Sequence, residues 1–219
     1  MTAHAFQTDP RSLSTRLREE TREVHESAEQ SPFMARLVAG QVSRADLRNL
    51  TAQLVVVYTA LEEASRSMST DSVFQHFHDP ALERLEILTS DLAALTADGE
   101  AAVEILAATA AYAARIREIG TTAPALVAHH YTRYLGDLSG GQALGSIFGR
   151  ALGVERGGPG IAFYSFTTIE KVKPYKDGYR GALDAAPMSE TDHDLAVSEA
   201  IVAFQLNQAV FASLEDLAA

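Results

Sequence analysis

No cysteine occurs among the 219 residues. That excludes disulfides, thiolate metal sites, cysteine nucleophiles and cysteine-ligated iron–sulfur clusters, and it fits a reducing compartment. Positive charge is scarce too: 18 Lys and Arg face 29 Asp and Glu, a formal net charge of −11. That balance argues against generic nucleic-acid binding. No apolar run reads as long enough to span a membrane, and residues 1–10 are polar where a signal peptide would carry an apolar centre. Internal repeats, low-complexity tracts, and flavin or nicotinamide motifs are missing as well. With 47% hydrophobic and 21% charged residues, what remains suits a single soluble domain over 1–219, with a flexible N-terminus at 1–10.

What is present is mostly helical periodicity. Ser12 or Ser14 can cap a first helix with Leu13, Leu17, Val24 and Ala28 inward. Gly40 ends a short segment at 32–39, and Ser43 caps a long helix with Leu47, Leu50, Leu54, Tyr58 and Leu61 on one stripe. Asp79-Pro80 has the form of an N-cap followed by proline at the first helical position, and predicts a helix to about Ala97. After the Asp98-Gly99 turn, an Ala-rich helix is expected over 99–119. Beyond the clear loop at 155–160, Phe163-Tyr164-Ser165-Phe166 reads as an extended connector without partner strands. Segments 169–185 and 189–217 return to helix, with Pro174 delaying or kinking the first. The expected class is all-α.

Residues 131–142 read Tyr-Thr-Arg-Tyr-Leu-Gly-Asp-Leu-Ser-Gly-Gly-Gln, inside a stretch over 125–152 that is otherwise helical in character. Each Gly within a helix costs about 1 kcal/mol relative to Ala, so Gly136, Gly140 and Gly141 together cost roughly 3 kcal/mol. That is a large share of the roughly 5–15 kcal/mol holding a typical domain together, and something should offset it. Gly136 and Gly140 share a face, where a missing Cβ lets a flat object or another backbone come close. Asp137 is the one ionisable group from Leu135 to Phe148. A phosphate loop is excluded, since no Lys-Ser/Thr follows the glycines and no apolar strand precedes them. Two readings stay open on spacing alone. One is a small-residue stripe for tight helix packing. The other is a helix kinked over a planar cofactor, with Asp137 placed for proton chemistry.

Seven His are present, and a lone His is usually a surface or satisfied residue. His25 differs from His4, His76, His78, His129, His130 and His193, because it lies about two turns after Leu17, at the edge of the apolar face. Glu29 follows one turn later. A neutral imidazole can bind iron through one nitrogen while the other donates to a carboxylate. Basic residues cluster twice, at Arg16, Arg18 and Arg22 and at Lys171, Lys173, Lys176 and Arg180. These are either two solvated faces or sites suited to an anionic ligand or acidic partner.

The run at 131–142 closely resembles the distal-helix signature of the heme oxygenases. Leu-Arg-Glu-Glu-Thr-Arg-Glu-Val-His-Glu-Ser-Ala-Glu at 17–29 resembles the family's proximal-histidine helix. Gly40-Gln41-Val42 and Tyr58-Thr59-Ala60-Leu61-Glu62-Glu63 match as well, with 163–180 and 204–211 matching more loosely, so the resemblance runs from about 13 to 214. It implies a heme oxygenase-like helical fold with heme held between a proximal and a distal helix. The implied reaction opens heme at a meso carbon, using O2 and electrons, to give biliverdin, carbon monoxide and Fe2+. Heme b is then both cofactor and substrate.

The resemblance implies that His25 is the axial iron ligand, with Glu29 behind it. Gly136 and Gly140 would crowd the opposite heme face, and Asp137 would hold water for proton delivery, surrounded by Tyr58, Thr132, Arg133 and Asn207. The heme propionates would meet Arg18, Lys176, Arg180 and Tyr131, with Phe204 and Phe211 near the pocket. Two departures stand out: a Lys is more familiar in the family where Arg18 stands, and Pro174 precedes Lys176. Electrons must come from outside, from a ferredoxin or a flavoprotein reductase docking near the basic segments. Some eukaryotic members carry a C-terminal membrane anchor; none is expected here, and a monomeric, soluble, cytoplasmic, bacterial-type enzyme is expected instead. The alternative is a non-catalytic heme carrier or sensor with the same fold. It would use His25 but has no use for Asp137 or the glycines.

Overall fold

The computed structural model describes residues 11–218, so the expected flexible stretch at 1–10 lies outside the described residues. Ten α-helices carry the chain: α1 (Leu13–Glu20), α2 (Arg22–Glu29), α3 (Pro32–Val38), α4 (Arg44–Ser67), α5 (Leu85–Leu95), α6 (Ala107–Ile119), α7 (Ala123–Gly136), α8 (Gln142–Leu152), α9 (Val172–Ala185) and α10 (Glu190–Ala218). One π-helical turn, Asp137–Gly141, joins α7 to α8. No strand forms among the described residues, and the class is all-α.

The two longest helices begin on reciprocal caps. Ser43 Oγ accepts from the Asp46 amide while the Asp46 carboxylate accepts from the Ser43 amide at 2.8 Å. Ser189 and Asp192 repeat the arrangement ahead of α10. Such boxes satisfy amides that the first helical turn leaves free. Along α4 the expected stripe of Leu47, Leu50, Leu54, Tyr58 and Leu61 is buried. α10 packs against α1, α2, α3, α4, α6 and α7. Ala196, Ala200 and Ala203 are fully buried on it, and their small side chains let neighbouring helices approach closely. Length and composition would also let Glu190–Leu217 cross a membrane. That corrects the reading that no apolar run is long enough; part of this stretch is buried against the neighbouring helices.

Several expected elements are subdivided. The first helix bends at Thr21, whose hydroxyl takes the Leu17 carbonyl at 2.6 Å, and Val24 is only half-buried. Ser12 stands at the helix's N-cap position, as expected, but its side chain caps no amide there. Asp184 of α9 instead accepts from the Ser14 amide at 2.8 Å and its hydroxyl at 2.9 Å. Asp79-Pro80 opens only a short 3-10 turn, Pro80–Leu82, before α5 begins at Leu85. The break is set by buried Glu62, whose carboxylate accepts the backbone N–H groups of Arg84 and Leu85. α6 starts at Ala107 rather than near Gly99, because the Gln53 amide ties down the preceding segment, donating to Glu104 O and accepting from Leu106 N, each at 3.0 Å. Pro174 falls in the first turn of α9, where no intrahelical N–H is needed, so the helix is not kinked there. The connector at 163–166 includes a 3-10 turn, Ala162–Tyr164, before extending at Ser165.

Candidate functional site

The π-helical turn lies beside a cleft with about 1180 Å³ of empty space, open on one side to solvent. α2 supplies one wall through His25, Ala28 and Glu29, while Gly136, Asp137, Ser139 and Gly140 form another. Phe204, Asn207 and Phe211 reach in from α10, and Tyr131 and Arg180 also line the space.

The glycines divide into two groups by what a Cβ would meet. At Gly145 it would lie 2.7 Å from Tyr164 Cβ, and at Gly149 2.8 Å from the Val154 carbonyl oxygen. Those two exist for close packing. At Gly136 and Gly140 an added Cβ meets nothing within 4 Å, although both line the cleft. Gly136 is helical, with φ −61°, and neither residue has a positive φ that would demand glycine. Neither internal packing nor backbone conformation accounts for them. They keep bare backbone facing open space.

Asp137 is the polar centre of that wall, 9% exposed. The Tyr58 hydroxyl donates to its Oδ2, and an Arg133 guanidinium nitrogen lies 3.6 Å from its Oδ1. Arg133 also donates from Nε to the Tyr58 hydroxyl at 3.2 Å and from a terminal nitrogen to Asn207 Oδ1 at 2.8 Å. Burial raises the Asp137 carboxyl above its ordinary range, while Arg133, the Tyr58 hydroxyl and Arg84 pull it back. Burial likewise pushes the Tyr58 phenol well above its usual value, so it stays a donor. The hydroxyls of Tyr112 and Thr132 are buried with no protein partner.

On the other wall the His25 ring meets Phe204 edge-on, with centroids 5.4 Å apart. Its Nδ1 lies 3.7 Å from a Glu29 carboxylate oxygen, too far for a hydrogen bond. α2 is held to α10 by Gln208, which donates to the Val24 carbonyl at 2.9 Å. Among the basic residues, Lys176 donates to the Ser139 hydroxyl at 3.1 Å, bridging α9 to the turn, and Arg180 pairs with Asp177 at 3.0 Å. Burial raises the Tyr131 phenol, and Arg180 and Arg18 oppose that rise across space. Arg18 itself is 73% exposed and does not line the cleft.

The structure therefore brings together His25, Glu29, Tyr131, Gly136, Asp137, Gly140, Arg180, Phe204 and Asn207 around one space, with Tyr58 and Arg133 behind Asp137 and Lys176 beside it. Sequence reading missed Ser139, Tyr112 and three buried groups that shape the site from outside: Glu62, Arg84 and Asp91. The partners of Glu62 and Asp91 lie 22 to 72 positions away, and no periodicity or short motif signals such contacts.

The described residues form an all-helical fold around a cleft walled on one side by bare glycine backbone and on the other by a histidine-bearing helix. The family model for heme oxygenase matches residues 11–213. Heme oxygenase 1 of Synechocystis is 38% identical over 205 residues, covering 93% of this chain and 85% of the relative. Human heme oxygenase 1 is 38% identical over 213 residues, covering 95% of this chain and 73% of its own. The crystal structure of the Synechocystis heme oxygenase-1 in complex with heme superposes with a TM-score of 0.88 at 37% identity, covering 94% of this chain and 93% of that one. The Leptospira interrogans heme oxygenase gives 0.86 at 35% identity, covering 93% and 100%. This chain belongs to the heme oxygenase family.

Proposed function

We propose that this protein cleaves heme at a meso carbon with molecular oxygen and electrons, forming biliverdin, carbon monoxide and ferrous iron. One observation carries the reading: Gly136 and Gly140 leave a surface that no protein group needs, facing the cleft that His25 also lines. Bound heme supplies the redox-active iron and is also the molecule consumed. His25 would hold the heme iron through its imidazole, with Phe204 packed edge-on against the ring and Glu29 beside Nδ1. The bare backbone at Gly136 and Gly140 lets the helix approach the other heme face more closely than any side chain would allow.

Asp137 is placed to hold water and move a proton near that face. It is anchored by Tyr58 and Arg133, and Asn207 in turn fixes Arg133. No cation or histidine reaches directly from the turn 137–141, so proton delivery goes through water held by a carboxylate. Lys176, Arg180 and Tyr131 take the propionates, with exposed Arg18 contributing charge from farther away. The basic residues beside the cleft, Lys176 and Arg180, suit an acidic electron donor, a ferredoxin or a flavoprotein reductase, docking on a soluble, cytoplasmic monomer.

The test uses purified protein with one equivalent of hemin, in air, with an electron donor and catalase. Loss of the Soret band with carbon monoxide and biliverdin is expected. A complex that persists after confirmed reduction would make the protein a heme carrier instead.

A further inference from the structure

Asp91, on α5, is 2% exposed and lies away from the cleft lining. Its Oδ1 accepts from the amides of Gly160 and Ala162, at 2.9 and 3.1 Å, and its Oδ2 from the amide of Phe163 at 2.7 Å. Burial raises its carboxyl above the ordinary range, more than these three donors and Arg84 lower it. Burying a carboxylate is costly unless its hydrogen bonds are made, and here the loop supplies three backbone donors.

The segment it holds supports the turn next to the cleft. Phe163 meets the Tyr58 ring edge-on at 5.5 Å, and meets Tyr164 at 4.9 Å. Tyr164 packs beneath Gly141, the last residue of the turn that begins at Asp137, and beneath Gly145 in α8. The α5 helix carrying Asp91 is itself fixed at its first turn by Glu62, one helical turn beyond Tyr58 on α4. The contacts close a ring: Tyr58 to Glu62 along α4, Glu62 to the start of α5, Asp91 to the loop, and Phe163 back to Tyr58.

We propose that Asp91 is a positioning residue for the Tyr58–Asp137 pair, acting through Phe163. This rests on the reading of Asp137 given above. Tyr58 reaches Asp137 only if its ring keeps its place, and Phe163 is one of the walls against which it stands, with Tyr134 edge-on at 5.8 Å and Arg133 over its face. Asp91→Asn tests the idea with almost no change in shape. The amide oxygen can still accept from Gly160 and Ala162, but the NH2 group then faces the Phe163 N–H, donor against donor.

Two measurements on Asp91→Asn, Phe163→Leu and the double variant decide it. The first needs no heme: the 19F resonance of Tyr58 in 3-fluorotyrosine-labelled unliganded protein, assigned with Tyr58→Phe. Both single variants should shift it in the same direction. The second is steady-state heme degradation together with hemin titration. In Asp91→Asn heme affinity and KM should hold nearly constant while kcat falls about tenfold, the scale of one lost hydrogen bond. Phe163 itself lines the cleft, so in Phe163→Leu the kcat loss and the Tyr58 shift are what is read. The double variant should be no worse than the poorer single one, the mark of a shared route. Multiplying effects, or an unmoved Tyr58 resonance in Asp91→Asn, would overturn the proposal. If Asp91→Asn fails to fold, Phe163→Leu decides alone: normal kcat and an unshifted Tyr58 overturn it. Wild-type protein that makes no biliverdin would fault the functional reading instead, and the fluorine measurement would still test the coupling.

Discussion

The Tyr58 hydroxyl donates to the Asp137 carboxylate across 79 positions of sequence, joining the middle of α4 to the π-helical turn. Tyr58 is fully buried and its phenol is held protonated, so it can only give a proton to that bond. Asp137 is thereby left with one oxygen toward Arg133 and an environment that pulls in both directions. A carboxylate held this way is oriented, and orientation is what a water-relayed proton requires.

Asp137→Ala should still bind heme but lose biliverdin formation. General acid–base groups typically contribute about 10²–10⁴-fold, and the loss should fall in that range. Hemin titration and bilin yield, measured on the same preparation, check it. Normal yield would remove Asp137 from the proton path.

Substituting Gly140 separates the ligand from the fold. Gly140→Ala meets no atom within 4 Å, so the unliganded protein should gain about 0.5–1 kcal/mol from reduced chain entropy. Its heme affinity should fall. Gly145→Ala should do the reverse to stability, costing about 1–3 kcal/mol against Tyr164. Denaturant melts of the two unliganded variants read the difference. A destabilised Gly140→Ala would mean the wall is packed after all.

His25→Ala removes a half-exposed ring whose loss leaves no buried gap, so the melt should be nearly unchanged. Heme degradation should stop, and added imidazole should restore part of it. Turnover at the normal rate without imidazole would show that another group holds the iron.

Acid should erode the stability of the protein over two overlapping pH windows. Burial is the main cause that lowers His130 from 6.5 to about 3. Below pH 6.5 the unfolded chain binds a proton that the folded chain refuses, so stability is lost as pH falls from 6.5 toward 3. Glu199 is lowered from 4.5 to about 2: burial opposes the shift, but hydrogen bonds from His129 and Arg115 outweigh it. Its contribution, on the order of 3 kcal/mol, is present above 4.5 and lost toward 2. His130→Phe should flatten the stability profile between pH 6.5 and 4.5, and Glu199→Gln below 4.5. Urea melts across pH 7 to 3 check both, and parallel profiles for all three proteins would refute the assignment.

Much of this fold was legible in the residues themselves. The stripe from Leu47 to Leu61 has helical spacing, and Ser43 and Ser189 sit where caps should, so α4 and α10 could be placed closely. The distal segment was readable because its glycines violate helix propensity in a recognisable order. The π-helical turn was not, since Gly136 through Gln142 keep helical backbone angles at the residues that bound it. The breaks at 83–84 and 101–106 were hidden for another reason. Glu62 and Gln53 impose them from a different helix, through side chains whose partners could be known only once the chain was folded. Within the site, spacing alone could not distinguish Gly140 from Gly145; the surroundings of each missing Cβ do.

The bare wall at Gly136 and Gly140 ties the enzyme's persistence to its own consumption. Heme lying over this backbone, as proposed, would complete a layer of the interior and stabilise the fold by mass action. Each turnover would then destroy that layer. The protein would pass through its least protected form once per cycle, and a cell poor in heme would hold more of the population there. Proteolytic lifetime would then track heme supply, making abundance a readout of the same molecule the enzyme removes.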